Sequence, residues 1–354
     1  MRKITLSPQL TPWLFVWIWS TGYLAAKHGL PYAEPFTLLM YRFIFTLAVL
    51  FVIIKLKDSS WPHSRKAFLH LMVSGLLIHG VYLGGVFQAI KWGMPAGLSA
   101  MVIGLQPLSM AIIAGIILKE RVSIKQWIGL IIALLGLYLV LFERFDFTDE
   151  FAFSGFSFWA VIAVIASLFG ISIGAVYQKR FCSDMDLISG TWIQYFSALL
   201  FSILMVACFE TGEVNWTKPF IFTLAWQVLG LSVGAILLLM SMIKQGASAK
   251  VGSYFYLVAP LVAIQAWYLF GEIIGLISIV GVVLISFGVA IFYFLYKILF
   301  WNSFELGMAP LVIGIFLFAS IQILLLGIIG EYIGIILIHQ RNMPLVTEKE
   351  RINF

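Results

Sequence analysis

The chain has 354 residues, of which 62% are hydrophobic and only 11% are charged. A soluble domain is close to half apolar and about a quarter charged, so this composition excludes an ordinary soluble protein. The formal net charge of +6 does not indicate a nucleic-acid partner, because the basic residues lie in short segments between apolar runs. The composition therefore predicts an all-α polytopic protein whose partner is the lipid bilayer.

Ten apolar segments are long enough for membrane spans, because a spanning helix needs about 20 apolar residues. They lie near Pro12–Leu30, Pro35–Lys55, Phe68–Ile90, Pro95–Leu118, Ile124–Phe142, Gly155–Gln178, Leu187–Phe209, Phe220–Ile243, Ser248–Phe270 and Ile273–Leu295. A charged stretch separates the first five from the second five. We therefore divide the chain into a first repeat (1–142), a linker (143–154), a second repeat (155–295) and a C-terminal segment (296–354).

The two groups of five spans share a sequence pattern. Pro107 and Pro260 are 153 positions apart, and Glu120 and Glu272 are 152 apart. The glycine pairs that follow, Gly129/Gly281 and Gly136/Gly288, are also 152 apart. A period this long indicates a duplicated half rather than a solenoid repeat.

The loop charges orient the bundle. If the N-terminus is cytoplasmic, most lysines and arginines of the ten-span region fall in the cytoplasmic segments, as the positive-inside rule requires. Because five is odd, the second repeat then enters the membrane from the opposite side. We predict a ten-helix bundle of two inverted five-helix repeats plus an extra C-terminal membrane helix. Inverted repeats are typical of transporters with a site reached alternately from each face.

Several residues carry a family resemblance. The runs Pro107…Glu120…Gly129…Gly136 and Pro260…Glu272…Gly281…Gly288, the aromatic-rich segment Trp13–Lys27 and Arg42 resemble the EamA-type transporters of the drug/metabolite transporter superfamily. The resemblance implies a secondary transporter that exports a small organic solute, with no enzymatic activity and no cofactor. It also implies a multi-pass protein of a bacterial inner membrane. A homodimer is a further option for its assembly.

The C-terminal segment has a different resemblance. Ile321–Gly334 and Arg341–Val346 resemble the membrane anchor of polyprenyl-phosphate glycosyltransferases, without the catalytic domain of those enzymes. This resemblance leaves two alternative functions open. One is a flippase of polyprenyl-phosphate-linked sugars. The other is a non-transporting membrane subunit that scaffolds an enzyme of the polyprenyl-phosphate pathway.

Two titratable residues lie deep in predicted spans. Arg42 lies about seven residues inside the second span, where a charge is costly unless it is paired or hydrated. We expect it to contact an anionic part of the substrate or of its coupling partner; the alternative is an arginine that binds backbone carbonyls at a helix end. His79, near the middle of the third span, is a candidate for proton coupling. Its alternative is a hydrogen-bonded histidine packed between helices.

Aromatic and amide side chains are candidates for the lining of a central cavity. Together with Arg42, the predicted substrate-binding residues are Trp17, Tyr82, Gln106, Gln194, Tyr254 and Tyr256. The alternative for the tryptophans and tyrosines is a place in the interfacial aromatic belts.

Acidic residues are interpreted as structural. Glu120 and Glu272 lie at predicted helix ends, which favours a structural corner over transport chemistry. The motif Asp184-Met185-Asp186 is typical of metal sites in glycosyltransferases, but no nucleotide-binding fold adjoins it. We therefore predict neither a metal site nor a catalytic residue.

Overall fold

The structure, a computed structural model, describes residues 10–117, 131–132, 135–136, 138, 152–153, 155–183, 185–244, 257–272, 280 and 284. Glu120, Asp184, Tyr254, Tyr256 and the C-terminal segment lie outside these residues. The predictions that concern them stay predictions.

The first half of the described chain consists of helices joined by short segments. Its helices are α1 (Leu10–Gly29), α2 (Pro35–Lys57), α3 (Arg65–Lys91), α4 (Ala96–Ile103) and α5 (Gln106–Ile117). Helix α2 begins with a proline at its first position, where a missing N–H costs nothing. The next two N–H groups, of Phe36 and Thr37, are bound at 2.8 and 2.7 Å by the carboxylate of Glu210 from the other half.

The second half begins with a hairpin of two short strands, β1 (Ala152–Phe153) and β2 (Phe156–Ser157), which pair antiparallel. The helices that follow are α6 (Phe158–Phe181) and α7 (Leu187–Phe209). Helix α8 comes next and is continuous over Lys218–Ala225, Trp226–Ala235 and Ile236–Lys244. The last described helix is α9 (Val258–Phe270). Five described segments are long and apolar enough to cross a membrane: Pro35–Lys57, Arg65–Lys91, Phe158–Phe181, Leu187–Phe209 and Lys218–Leu239.

Two local features differ from the sequence-based expectation. The predicted fourth span is broken, because α4 ends at Ile103 and α5 begins at Gln106. Pro107 follows at once; it has no N–H and its ring opposes a continuous helix, which accounts for an end just before it. The prediction of an all-α chain also missed the hairpin, which crosses the predicted linker boundary. Gly155 turns it with φ +89°, a conformation that glycine adopts without strain.

The third span of each half contains a π-helical segment in its middle. In α3 the segment is Leu76–Val81, and in α8 it is Trp226–Ala235. A π segment inserts an extra residue into the helix and is frequent at functional sites. Both segments face the centre of the bundle, where they contribute His79, Leu231 and Ser232 to the site described below.

The two halves interlock. Helix α3 packs against α6 and α7 of the second half, and α8 packs against α1 and α2 of the first half. Helices α2 and α7 pack together, and α9 packs on α1 and α4. At the contact of α3 with α7, Gly75 lies so close to Gln194 that an added Cβ would be 2.3 Å from the Gln194 Cα. The core is therefore shared by both repeats.

Backbone and side-chain contacts define two ends of the bundle. At end A, which holds Gly29, Pro35 and Lys91, the Ser157 N–H donates to the Trp92 carbonyl at 3.2 Å. At end B, which holds Lys57 and Arg65, the Ser189 hydroxyl donates to the Ser60 carbonyl at 2.6 Å. Helix α6 therefore starts at the end where α3 finishes, and α7 starts at the end where α2 finishes.

Candidate functional site

A central cavity of about 70 Å³ lies between the two halves. Helices α1, α2, α3, α6, α7 and α8 all contribute to its wall. The described lining residues are Trp19, Gly22, Tyr23, Arg42, Ile78, His79, Tyr82, Leu83, Val86, Phe87, Ile171, Tyr195, Leu231 and Ile236. The wall is mainly apolar, with a small group of polar side chains, which is the usual composition of a small-molecule site.

Among the described residues that line the cavity, Arg42 is the one with a permanent charge. Its side chain reaches into the bundle from α2, seven residues after Pro35, or roughly 10 Å at the helical rise. It is 6% exposed, and its Nε–H donates to the Ser232 hydroxyl at 3.0 Å. Ser232 lies in the π segment of α8, so this bond joins the halves. A charge buried in this way costs several kcal/mol unless it is compensated.

His79 and Tyr195 belong to the same group of polar side chains as Arg42. Their rings stack at a centroid distance of 4.2 Å with an interplanar angle of 23°. The Tyr195 hydroxyl interacts with both Arg42 and Ser232. Because His79 lies in the π segment of α3, the cavity is bounded by both π segments. The sequence prediction of His79 in the interior of the bundle agrees with this placement.

Tyr195 is a lining residue that the sequence reasoning missed. It selected the neighbour Gln194, which is 152 positions after Arg42 and so its counterpart in the repeat. Gln194 is not among the described lining residues: its Nε2 donates to Ser74 and Gln178 at 2.9 and 3.1 Å, and its side chain is also hydrogen-bonded to the lining residue His79. The signal that identifies Tyr195 is a tyrosine eight residues inside an apolar span, away from the interfacial belt.

Two tyrosines close another side of the cavity. The hydroxyls of Tyr23 and Tyr82 lie 3.3 Å apart, and Tyr82 was predicted as a lining residue. Trp19 lines the cavity, whereas the predicted Trp17 is 51% exposed and packs edge-on against Trp226. Two positions along an α-helix turn a side chain by about 200°, so Trp17 and Trp19 face opposite ways.

Gln106 lines a smaller cavity of about 20 Å³ that shares Trp19, Tyr23 and Tyr82 with the central one. Its wall includes Gly104 and Pro107, so the break between α4 and α5 opens this side space. Of the predicted residues, the structure thus brings Arg42, His79 and Tyr82 together and places Gln106 next to them. Trp17 and Gln194 are not in the described cavity wall, although Gln194 is hydrogen-bonded to the lining residue His79.

Glu272 stabilises a corner at end A, as the sequence indicated. Its carboxylate pairs with the Lys27 Nζ at 2.6 Å and accepts the N–H groups of Ala96 and Gly97 at 3.0 and 3.2 Å. These are the first N–H groups of α4, whose N-cap Pro95 has no polar side chain. Glu272, just after the end of α9, therefore caps α4.

Asp186, from the sequence motif at 184–186, is also a helix cap. Its carboxylate accepts the N–H groups of Ile188 and Ser189, each at 3.0 Å, at the start of α7. This is the ordinary role of an aspartate at an N-cap. Within the described part of the chain, no three His, Cys, Asp or Glu side chains come together as a metal site.

We expect Glu272→Ala to lower the free energy of unfolding by about 1–2 kcal/mol, mainly through loss of the cap. The ion pair adds less, because the Lys27 side chain is 33% exposed and partly screened. Thermal unfolding of the detergent-solubilised protein measures the change. The matched variant Lys27→Met keeps the cap and should cost less than about 1 kcal/mol. An equal loss in both variants would contradict a capping role.

Comparison with known proteins identifies the family. The sequence profile of the EamA-like transporter family matches residues 12–142 and 158–294, which is more than half of the chain. The chain belongs to the EamA-like transporter family. The resemblance to the EamA-type transporters is thereby confirmed. Membership of this family makes the chain an integral membrane transporter of small solutes, and it confirms the prediction that the chain is not an enzyme.

Individual relatives agree with the family. The uncharacterized transporter YvbV of Bacillus subtilis (strain 168) is 26% identical over 260 residues, covering 72% of this chain and 80% of its own. A Salmonella typhimurium (strain LT2) protein named "Probable amino-acid metabolite efflux pump" is 28% identical over 169 residues, covering 47% and 52%. One crystal structure superposes with a TM-score of 0.59 at 18% identity, covering 81% of this chain and 97% of the other. It supports the fold alone.

Proposed function

We propose that this EamA-like transporter exports its solute by alternating access, with the central cavity as the substrate site. The observation that carries the proposal is the position of the cavity between the halves, with a π segment of each half in its wall. A rocking motion of one half against the other would expose such a cavity to one end at a time. Export is favoured by the efflux pump among the relatives.

The proposed topology has inverted repeats, ten spans and a cytoplasmic N-terminus. The end-to-end contacts support inversion, since α6 starts at end A and α1 finishes there. The distribution of basic residues supports a cytoplasmic end B in a bacterial inner membrane. Described lysines and arginines at end B are Lys55, Lys57, Arg65, Lys66, Lys179, Arg180 and Lys244, and those at end A are Lys27, Lys91 and Lys218. We propose the same boundaries as above for the first repeat (1–142), the linker (143–154) and the second repeat (155–295).

Within the proposed site, Arg42 and Tyr82 bind the solute and His79 is the candidate for proton coupling. Gln106 in the adjoining cavity is a further contact. The support is geometric, because Arg42, His79 and Tyr82 line one cavity together with Tyr195. Tyr254 and Tyr256 keep their predicted place among the substrate-binding residues.

Cysteine labelling tests alternating access. In a background with Cys182→Ala and Cys208→Ala, single cysteines replace Val86, near end A, and Ile236, nearer end B; both positions line the cavity. When a transported solute is added, labelling at the two positions should change in opposite directions. A cysteine at the exposed Leu229 is the control and should not respond. Parallel changes at Val86 and Ile236 would overturn the mechanism.

Proteoliposome assays separate the alternative functions. The panel consists of amino acids, organic acids, drugs and labelled lipid-linked sugars. Movement of soluble solutes supports the proposal, and scrambling of labelled lipid would support the flippase. Inactivity toward every compound would favour a scaffolding subunit.

We propose that the C-terminal segment has a role in the choice of lipid or partner. We also propose that the transport core folds without this segment. Both predicted repeats are complete by Leu295, and residues 296–354 have no counterpart in either. A chain truncated after Lys297 should therefore express, insert and stay monodisperse in detergent, as measured by size-exclusion chromatography. Aggregation or degradation of the truncated chain would show that the segment is an integral part of the bundle. The full-length chain, purified in parallel, is the control.

A further inference from the structure

We propose that the transported solute is a small organic anion, with one carboxylate-like group bound by Arg42 and an apolar body held by the rest of the cavity. The inference rests on the proposed function, because it assigns the substrate class of the same cavity. It concerns the chemistry of the solute and is independent of the direction of transport.

Arg42 has no acidic partner within the ten predicted spans. None of the ten predicted spans contains an aspartate or a glutamate. The acidic residues nearest along the helix, Glu34 and Asp58, flank the two ends of α2. Glu34 is engaged at end A by the N–H and hydroxyl of Thr211, at 2.7 and 2.9 Å. The charge of Arg42 is therefore not neutralised by a carboxylate of the spans.

Arg42 is held in a fixed orientation and still has N–H donors available for a ligand. A guanidinium has five N–H donors in a rigid fork, and the bond from Nε to Ser232 uses one of them. The Tyr195 hydroxyl interacts with Arg42 and with Ser232, which further fixes the guanidinium and still leaves it with unused N–H donors. A fork held in this way matches the two oxygens of a carboxylate. Ser232 therefore acts as a positioning residue for Arg42.

The rest of the cavity wall suits the apolar part of a solute. Ile78, Leu83, Val86, Phe87, Ile171 and Leu231 surround the cavity with aliphatic and aromatic carbon. A sugar or another highly hydroxylated solute would lose hydrogen bonds to water that these residues do not replace. The described lining has polar groups only near Arg42, His79 and the tyrosines. The solute is thus expected to be polar at one end and apolar at the other.

The cavity disfavours cationic solutes. The rings of Trp19, Tyr23 and Tyr82 attract a cation, but such attraction is modest. A second positive charge in the same cavity would also meet Arg42, and repulsion between two desolvated cations is the larger effect. An amine is therefore rejected, and a neutral amide lacks the charge that Arg42 selects.

Three probes of one shape test this assignment: 3-phenylpropanoate, 3-phenylpropanamide and 3-phenylpropylamine. Thermal stabilisation of the wild-type protein in detergent reports binding, and counterflow in proteoliposomes reports transport. The carboxylate should bind at least tenfold more tightly than the amide, and the amine should not bind. Arg42→Gln should remove the preference, while Lys55→Gln, at the end of the same helix, should keep it. Acetate, which has the charge without the body, should bind at least tenfold more weakly than 3-phenylpropanoate.

The outcomes separate this inference from the transport function. Equal or tighter binding of the amide or the amine would overturn the anion assignment, although their transport would leave the alternating-access proposal standing. Equal binding of acetate would overturn the apolar body. Failure of 3-phenylpropanoate to bind or to be transported would also overturn the assignment. Parallel labelling at Val86 and Ile236 would instead overturn alternating access, whichever probe binds.

Discussion

Arg42→Ala should reduce transport by about 10- to 100-fold while leaving the protein folded. Hydrogen bonds to a charged group contribute about 1.5–3 kcal/mol, which corresponds to losses of this size. The stability of the fold should fall less than the transport rate does, because removing a buried charge also removes the cost of its desolvation. Lower transport with unchanged or higher thermal stability is therefore the expected combination. Arg42→Lys should retain part of the activity, since it keeps the charge but not the planar fork.

Initial rates in proteoliposomes, normalised to inserted protein, measure the effect of Arg42→Ala. Lys55→Ala removes a basic residue from the end of α2, outside the cavity, and should transport as the wild type does. An Arg42→Ala protein that transports normally would return Arg42 to a structural role. An equal loss in Lys55→Ala would point to the charge of the helix rather than to the site.

Gly75→Ala should destabilise the protein by about 3 kcal/mol, at the upper end of the range for overpacked cores. The new Cβ would lie 2.3 Å from the Cα and 2.4 Å from the carbonyl oxygen of Gln194. These are backbone atoms, so relief requires α3 and α7 to move apart rather than a side chain to rotate. The expected result is a lower unfolding temperature and aggregation in detergent, measured by thermal unfolding and size-exclusion chromatography.

Gly22→Ala is the matched control for Gly75→Ala. Its nearest neighbours would be the Leu231 methyl groups at 3.7 Å, which is ordinary van der Waals contact. Alanine is also the better helix former, so α1 should be no less stable. If Gly22→Ala and Gly75→Ala unfold at the same temperature, close approach at Gly75 does not hold the halves together.

Sequence reasoning located the membrane character, the duplication and three of the central residues. Arg42 and His79 stood out because titratable groups are rare inside apolar spans. Tyr82 was selected with other aromatic residues, and the structure retains it in the cavity but leaves Trp17 on the exposed side of α1. Periodicity along one helix does not decide which face meets the interior when the whole helix is apolar. Composition alone therefore could not separate Trp17 from Trp19.

The repeat relation places Gln194 at the position that corresponds to Arg42, and the difference between the two residues indicates that the halves are not functionally equivalent. The described cavity wall contains Tyr195, one residue further along, and Gln194 is hydrogen-bonded to His79. One position along a helix rotates a side chain by about 100°, and the halves need not present equivalent faces to a shared centre. The corner at Glu272 was anticipated from its place at a helix end. Its actual partners, Lys27 and the start of α4, come from distant parts of the chain.

By itself, the sequence determined that this is a duplicated membrane protein of the EamA-like family, because span length, hydropathy and repeat spacing are properties of the chain. Only the tertiary structure decided how the halves interlock and which polar groups meet. The bond from Arg42 to Ser232 and the stacking of His79 on Tyr195 join residues more than one hundred positions apart. Such contacts depend on helix rotation and on close packing at glycines such as Gly75, which are set by the summed fit of all the helices.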